Sequence, residues 1–490
     1  MNRRQTPCTA WRIRGPWCRE QDRDRWATDL TLGPLGRGVD PTHRSPTLKD
    51  SARGRARVAD NDELSSRGLL APSRAGRSAA PTLGVEEEFL LLDPVSGQVV
   101  PAAPQLLGQL DGVCWAKGEL MRFQFEAVTD ICTGLGQLRA ELATHRRAAA
   151  SLAEPLGCLL VAAGTAPDST GGLPHLTPSA RYLELARRFP SMIKGSGRCG
   201  CHVHVGVASR DLGVQVLNRL RPWLPTLLAL TANSPLTGGR DSGWASWRHR
   251  MQTRWPTARP PPVCPSAAAY DAVVAGLIRR GAALDEPGVY FLARLSPHYP
   301  TVEVRIGDVC LDLDDAVLLA GLVRALVATA IQEVDDGMPV RAASARRIRA
   351  AVLAAARHGL DGPGLDPWSG ARAPQRSLLD RLLDHVRDAL AQFGDDQEIT
   401  ALIRRLDQRG MGAARQRATR ASGASTGELT AALARATLAG CTEPVARVGP
   451  GSSGTADDGP ITFESAGSGP GGVVAVASPN NTSHELRTVS

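Results

Sequence analysis

The chain reads as an α+β protein built on an antiparallel sheet of about six strands with flanking helices. Three observations point there. Strand-like and helix-like segments follow in mixed order rather than in strict βα alternation. The strand segments alternate apolar and polar residues, whereas buried parallel strands run continuously apolar. Of the 490 residues, 42% are hydrophobic and 22% charged, enough for a packed core.

Six segments carry the strand pattern: 82–92, 122–129, 159–163, 202–207, 290–295 and 301–306. Helical periodicity marks 135–156, 211–232, 267–280 and 314–333, then 342–358, 375–392, 397–408 and 426–438. Asp314 is the expected N-cap of the fourth helix. The most apolar run, 316–331, is too short to cross a bilayer and contains Arg324, so no membrane partner is expected.

These elements occupy 81–445, read as one domain. Residues 1–80 are rich in Arg, Gly, Pro and Ser without apolar periodicity and are expected to be a disordered basic extension; 446–490 are expected to be a disordered Gly/Ser-rich tail. The net charge of +8 is localised: residues 1–80 hold fifteen Arg and Lys49 against nine acids, which leaves the core near neutral and gives no reason to expect nucleic-acid binding. Lysine occurs only at positions 49, 117 and 194, which reads as coding bias rather than chemistry. The ten Cys form no CxxC pair, and no apolar segment of a leader follows the basic start, which together suggest a reducing, cytoplasmic setting. Cys199 and Cys201 are expected to be buried thiols rather than ligands.

The informative pattern is a repeated one. Glu86 and Glu88, Gln124 and Glu126, His202 and His204, and Glu303 and Arg305 each stand two residues apart between apolar neighbours. Strand period places both members of a pair on one face. One such strand usually means a half-solvated sheet. Four of them, mostly acidic, would gather carboxylates that raise one another's pKa and that divalent cations would relieve. Oxygen donors with imidazole suit Mg²⁺ or Mn²⁺. The loop after residue 232 is dense in Arg, Gly and Trp. Within it Arg248 either forks a carboxylate or stacks on Trp247 at the surface. There is no GxxxxGK[ST] loop, so a bound nucleotide would need metals and arginines on its phosphates.

Several stretches resemble one family. Gly84-Val85-Glu86-Glu87-Glu88-Phe89, Cys199-Gly200-Cys201-His202-Val203-His204-Val205-Gly206, Asn218-Arg219-Leu220-Arg221-Pro222-Trp223-Leu224-Pro225, Pro300-Thr301-Val302-Glu303-Val304-Arg305 and Gly410-Met411-Gly412-Ala413-Ala414-Arg415-Gln416-Arg417 are similar to the carboxylate–amine ligases of glutamate–cysteine ligase type 2, over residues 82–440. The resemblance implies a glutamine synthetase-like catalytic domain whose curved sheet binds ATP, divalent metal and glutamate. It implies an amide bond formed on glutamate at the expense of ATP, with cysteine as the default amine, and a homodimer. Carried over residue by residue, Glu86, Glu88, Glu126, His202 and Glu303 resemble metal ligands. Arg305, with Glu303, resembles the catalytic group facing the transferring phosphoryl, and Arg248 the receiver of glutamate. Gln124 and His204 line the same face. The chain departs from the family at Ala258-Arg259-Pro260-Pro261-Pro262 and at Phe291 and Leu292, which touches acceptor contacts more than the metal set.

The leading expectation is thus an ATP-dependent ligase working through an acyl phosphate. A metal-dependent hydrolase built on the two histidines and the carboxylates is one alternative. A ligand-binding protein that has lost turnover is the other.

Overall fold

The structure is a computed structural model that describes residues 80–441 except 111–113, 169–172, 194 and 196. Apart from Ala80, the tails expected at 1–80 and 446–490 lie outside the described residues.

The main sheet has seven strands: β1 (Leu83–Leu92), β2 (Ala116–Gly118), β3 (Gln124–Val128), β4 (Leu159–Val161), β5 (Gly200–Gly206), β6 (Ala293–Leu295) and β7 (Thr301–Asp308). Their order is β2-β3-β1-β5-β7-β6, and β4 pairs with the C-terminal end of β1. Every pairing is antiparallel, as the alternation predicts. The strand beyond the expected six is β2, whose three residues Ala-Lys-Gly are too few to carry a pattern. The segment expected at 290–295 forms a strand only over its last three residues.

One sheet face supplies Leu83, Val85, Val203, Val205, Val302, Val304 and Ile306 to a core shared with the helices. At its centre lies α4 (Leu313–Asp335), packed against β5 and against α1 (Leu135–Ala153) and α2 (Arg210–Leu220). With 23 residues, α4 is long and apolar enough for a membrane span, which corrects the shorter run read from the sequence; here it is the buried core helix. Its Arg324 is itself buried, donating to the Thr133 carbonyl at 3.0 Å and pairing with Asp395.

Other boundaries also move. The N-cap of α4 is Asp312, not Asp314, and the Asp312 side chain turns to Arg409 and Arg415 instead of capping. Asp314 lies in the first turn, 2.7 Å from Arg139. The helix expected over 211–232 is broken into α2 and α3 (Leu224–Thr231) by a 3₁₀ turn at Arg221–Trp223, because Pro222 and Pro225 bring no N–H to the ladder. Helices at Ala180–Arg188, Trp247–Gln252 and Gly412–Ala421 carry no long apolar period and were not expected.

A buried ion pair ties these parts together. Glu87 points away from Glu86 and Glu88, into the core, where Arg146 of α1 grips it at 3.0 and 2.5 Å. The same guanidinium donates to the carbonyls of Cys310, Leu311 and Thr437 at 2.9, 3.2 and 2.9 Å, joining β1 to α1, to the lead-in of α4 and to the helix Thr426–Thr437.

Two outcomes follow for stability. Arg146→Met strands the Glu87 charge and is expected to cost about 3–5 kcal/mol, while adding Glu87→Met recovers much of it; urea unfolding of both variants checks this. The second concerns His145, which is stacked on Trp115 at 4.6 Å and whose pKa burial lowers to about 4. The unfolded chain takes up this proton near pH 6.5 and the native protein does not, so stability falls as pH drops from about 6.5 to 4, by up to roughly 1.4 kcal/mol per unit. His145→Phe should flatten that part of the pH–stability curve.

Candidate active site

The four polar pairs leave the sheet on one face, opposite the helix core. Register fixes their order: Glu86 stands across from His202, Glu88 from Glu126, and His204 from Glu303. All nine residues expected at the site line a single cavity of about 420 Å³: Glu86, Glu88, Gln124, Glu126, His202, His204, Arg248, Glu303 and Arg305.

A bulge adds a further polar group to this face. Cys201 pairs with Gly307 but Val203 with Val304, so β7 carries one extra residue opposite His202. The alternation is reset, and Asp308, across from Gly200, joins Glu303 and Arg305 on the polar side. Fully buried, Asp308 accepts from the Asn233 N–H at 2.9 Å and from the Ser234 and Ser246 hydroxyls at 2.6 and 2.7 Å. It thereby pins both ends of the Arg- and Trp-rich loop. Ser246 caps the helix Trp247–Gln252, and Arg248 enters the cavity from its first turn.

Arg248 is buried, 3.8 Å from Asp308, and donates to the Ile306 carbonyl at 3.3 Å, so it is not a surface Arg resting on Trp247. Its guanidinium lies over Gly200, where any Cβ would collide with it. The Gly200 N–H donates to Glu88 at 2.6 Å. Gly200 thus gives Arg248 room and Glu88 a backbone partner.

The charges fall into two groups around Glu86. On one side His202 Nδ1 is 3.0 Å from Glu86, and Lys117 Nζ is 3.1 Å from Glu126 and 3.7 Å from Glu86. On the other, His204 Nε2 is 3.5 Å from Glu86 and 3.8 Å from Glu303. Glu303 is also gripped by Arg294 at 2.7 Å and by Arg305. Burial opposes ionisation of Glu86, but the His202 hydrogen bond and the neighbouring His204 imidazole outweigh it and hold its pKa well below the carboxylate range. Burial likewise works against Glu303, and Arg305 and Arg294 overcome it. Glu126 is pushed well up by burial and by the Glu86 charge, and Glu88 is raised mainly by burial. Burial and the Arg305 charge lower His202 to about 4, which leaves its imidazole neutral.

Two triads could each hold a cation: Glu86, Glu126 and His202, and Glu86, His204 and Glu303, the donor atoms of each lying within 4.8 Å of one another. The donors are carboxylate and imidazole. The thiols at 199 and 201 are buried, Cys201 in the helix core and Cys199 as an acceptor for Gln124 Nε2 at 3.3 Å. Gln124 also donates to the Arg198 carbonyl at 2.9 Å.

Sequence reasoning missed several groups in the cavity wall. Lys117 was set aside as compositional, although a lysine in so lysine-poor a chain was itself a signal. Glu119, with its pKa raised to about 7 by burial and by the Glu88 charge, lies two residues on. Arg198 and Arg181 sit outside any strand pattern, Tyr290 opens the segment expected as a strand at 290–295, and Arg294 is found only through its cross-strand pairing with Glu303. The two departures noted in this region, Phe291 and Leu292, are both buried in the helix-side core, Phe291 against Tyr270, while the preceding Tyr290 faces the cavity. A methyl group at Gly200 tests the arrangement: Gly200→Ala should fold with a loss of about 1–3 kcal/mol and should drive the Arg248 guanidinium off its seat, which a crystal structure of the variant would show.

A family model described as glutamate–cysteine ligase family 2 matches residues 82–435. Proteins of Salinispora arenicola (46% identity over 348 residues, 69% of this chain and 90% of theirs) and Salinispora tropica (46% over 345 residues, 69% and 89%) both carry the name "Putative glutamate--cysteine ligase 2". Among solved structures, the glutamate–cysteine ligase of Francisella tularensis in complex with AMP superposes with TM-score 0.56 at 13% identity, over 74% of this chain and 90% of that one. A bifunctional glutathione synthetase from Pasteurella multocida gives 0.51 at 15%, over 74% of this chain and 53% of that one. At these identities the two structures speak for the fold. Neither the hydrolase nor the binding protein without turnover finds support in these relatives. With the family model matching well over half of its length, the chain belongs to glutamate–cysteine ligase family 2 and is an ATP-dependent ligase that joins a carboxylate to an amine as an amide.

Proposed function

We propose that the protein converts ATP, L-glutamate and L-cysteine into γ-glutamylcysteine, ADP and phosphate, and that the cavity above the sheet is where it does so. The observation that carries this reading is the convergence of Glu86, Glu88, Glu126, His202 and Glu303 on one cavity, with Glu86 as the shared corner of two donor triads.

The residues present fit divalent metal of the Mg²⁺ or Mn²⁺ kind. The donors are oxygen and imidazole nitrogen, and His204 Nε2 is buried without a hydrogen-bond partner among the described residues, although it lies near two carboxylates. Glu86, Glu88, Glu126, His202 and Glu303 would hold the metal, and His204 stands beside them. Metal bound there neutralises charge on the phosphate oxygens.

The chain's own residues supply the rest. Arg305, kept protonated by Glu303 despite its burial, aims a fixed positive charge into the cavity and suits the transferring phosphoryl group. Arg248, seated over Gly200, is the receiver for the glutamate carboxylate. A γ-carboxylate oxygen attacks the γ-phosphorus of ATP, the bond to ADP breaks, and an acyl phosphate of glutamate forms. The amine nitrogen then attacks the acyl carbon, phosphate leaves, and the nitrogen gives up its proton. No residue of the chain is acylated in this scheme. Small molecules are the partners in this reading, and its setting is the cytoplasm, where ATP and reduced thiols are supplied.

Phosphate release should require ATP and glutamate together and should stop on chelation of divalent metal. A mass-spectrometric screen of amine acceptors identifies the product; ATP-independent hydrolysis would overturn the reading. Arg305→Ala is expected to lower product formation by about 10²–10³-fold, with Arg305→Lys in between, and unaltered turnover in the Ala variant would remove Arg305 from its role.

A further inference from the structure

Lysine is scarce in this chain, yet one of its three copies reaches the cavity. Lys117 stands on β2 directly across from Glu126 in the β2–β3 register, so both side chains leave the sheet on the polar face. Its ammonium lies 3.1 Å from a Glu126 oxygen and 3.7 Å from a Glu86 oxygen. These carboxylates are two of the three members of the Glu86, Glu126 and His202 triad. The ammonium and a divalent ion would therefore compete for the same oxygens, and at such separations two positive charges repel strongly in a half-buried site.

The position of Lys117 gives it freedom to yield. Its side chain is 55% exposed, while the carboxylates it touches are 5% and 13% exposed. It lies on a three-residue strand at the edge of the sheet.

We infer that Lys117 is a tethered counter-cation of the Glu86, Glu126 and His202 triad: its ammonium holds the place of a divalent ion until one enters, then swings toward solvent. This rests on the reading that the triad holds the ion. It gives Lys117 two effects. The carboxylates stay paired rather than repelling when no ion is present, and ion affinity is set lower than the acidic donors alone would give.

The test uses the full-length protein without nucleotide. Binding of Mn²⁺ is followed through loss of the free-ion electron paramagnetic resonance signal, for wild type, Lys117→Met and Lys117→Arg. Lys117→Met should bind at least about tenfold tighter, since a competing charge is gone, and Lys117→Arg should stay near wild type. Adding Glu126→Gln to Lys117→Met should abolish the gain, which places it at this triad. Lys117→Gln repeats the measurement should the Met variant fail to fold. In wild type, Mn²⁺ should also increase acylation of Lys117 by an amine-reactive reagent, read by peptide mass spectrometry. Equal or weaker binding by Lys117→Met, or labelling of Lys117 indifferent to Mn²⁺, overturns the inference and leaves the metal reading standing. No Mn²⁺ binding by any of the proteins overturns the metal reading, and the inference falls with it.

Discussion

Everything in this molecule is arranged around one electrostatic constraint. Five carboxylates are collected on one face of a sheet, several of them almost fully buried, and such a collection is stable only if positive charge is brought to it. The fold answers with charges from different parts of the chain. Arg294 and Arg305 flank Glu303, Lys117 meets Glu126 and Glu86, and Arg248 stands over Gly200 beside Glu88. The split in carboxylate behaviour follows from whether the partners outweigh burial. Glu303 and Glu86 are held ionised, while Glu126 and Glu88 are pushed up by burial that their neighbours do not offset.

The scaffold serves this arrangement at each level. The period of two along β1 sends Glu86 and Glu88 to the cavity and Glu87 to the core, where Arg146 turns an otherwise costly buried acid into a tie between distant segments. The extra residue in β7 sends Asp308 to the polar side, and Asp308 holds the loop that delivers Arg248. Ligase chemistry on a carboxylate needs fixed positive charge at two places, the phosphoryl group and the amino-acid carboxylate. Arg305 and Arg248 reach the cavity from separate elements and suit these two tasks.

What could be read in the sequence follows from range. Alternation is local, so the strands bearing the polar pairs and the antiparallel nature of the sheet were legible from β1, β3, β5 and β7. The nine candidate residues meet in one cavity because each sits on a strand pair or in the one dense loop. What escaped depends on contacts between distant segments. The role of Asp308 depends on a bulge that no spacing rule announces, β2 is too short to show a period, and Arg294 has meaning only beside Glu303. The broken helix at Arg221–Trp223 was the opposite case, since Pro222 and Pro225 were in plain view and the apolar run around them outweighed them in the reading.

The central claim is that the polar face of the sheet gathers cations at Glu86. Crystals grown with Mn²⁺ and a non-hydrolysable ATP analogue test it most directly, through the anomalous scattering of manganese. The account predicts anomalous peaks in coordination contact with Glu86, flanked by His202 and Glu126 on one side and by Glu303 on the other. Peaks confined to other parts of the molecule, with these carboxylates still paired only to Lys117 and the arginines, would contradict it.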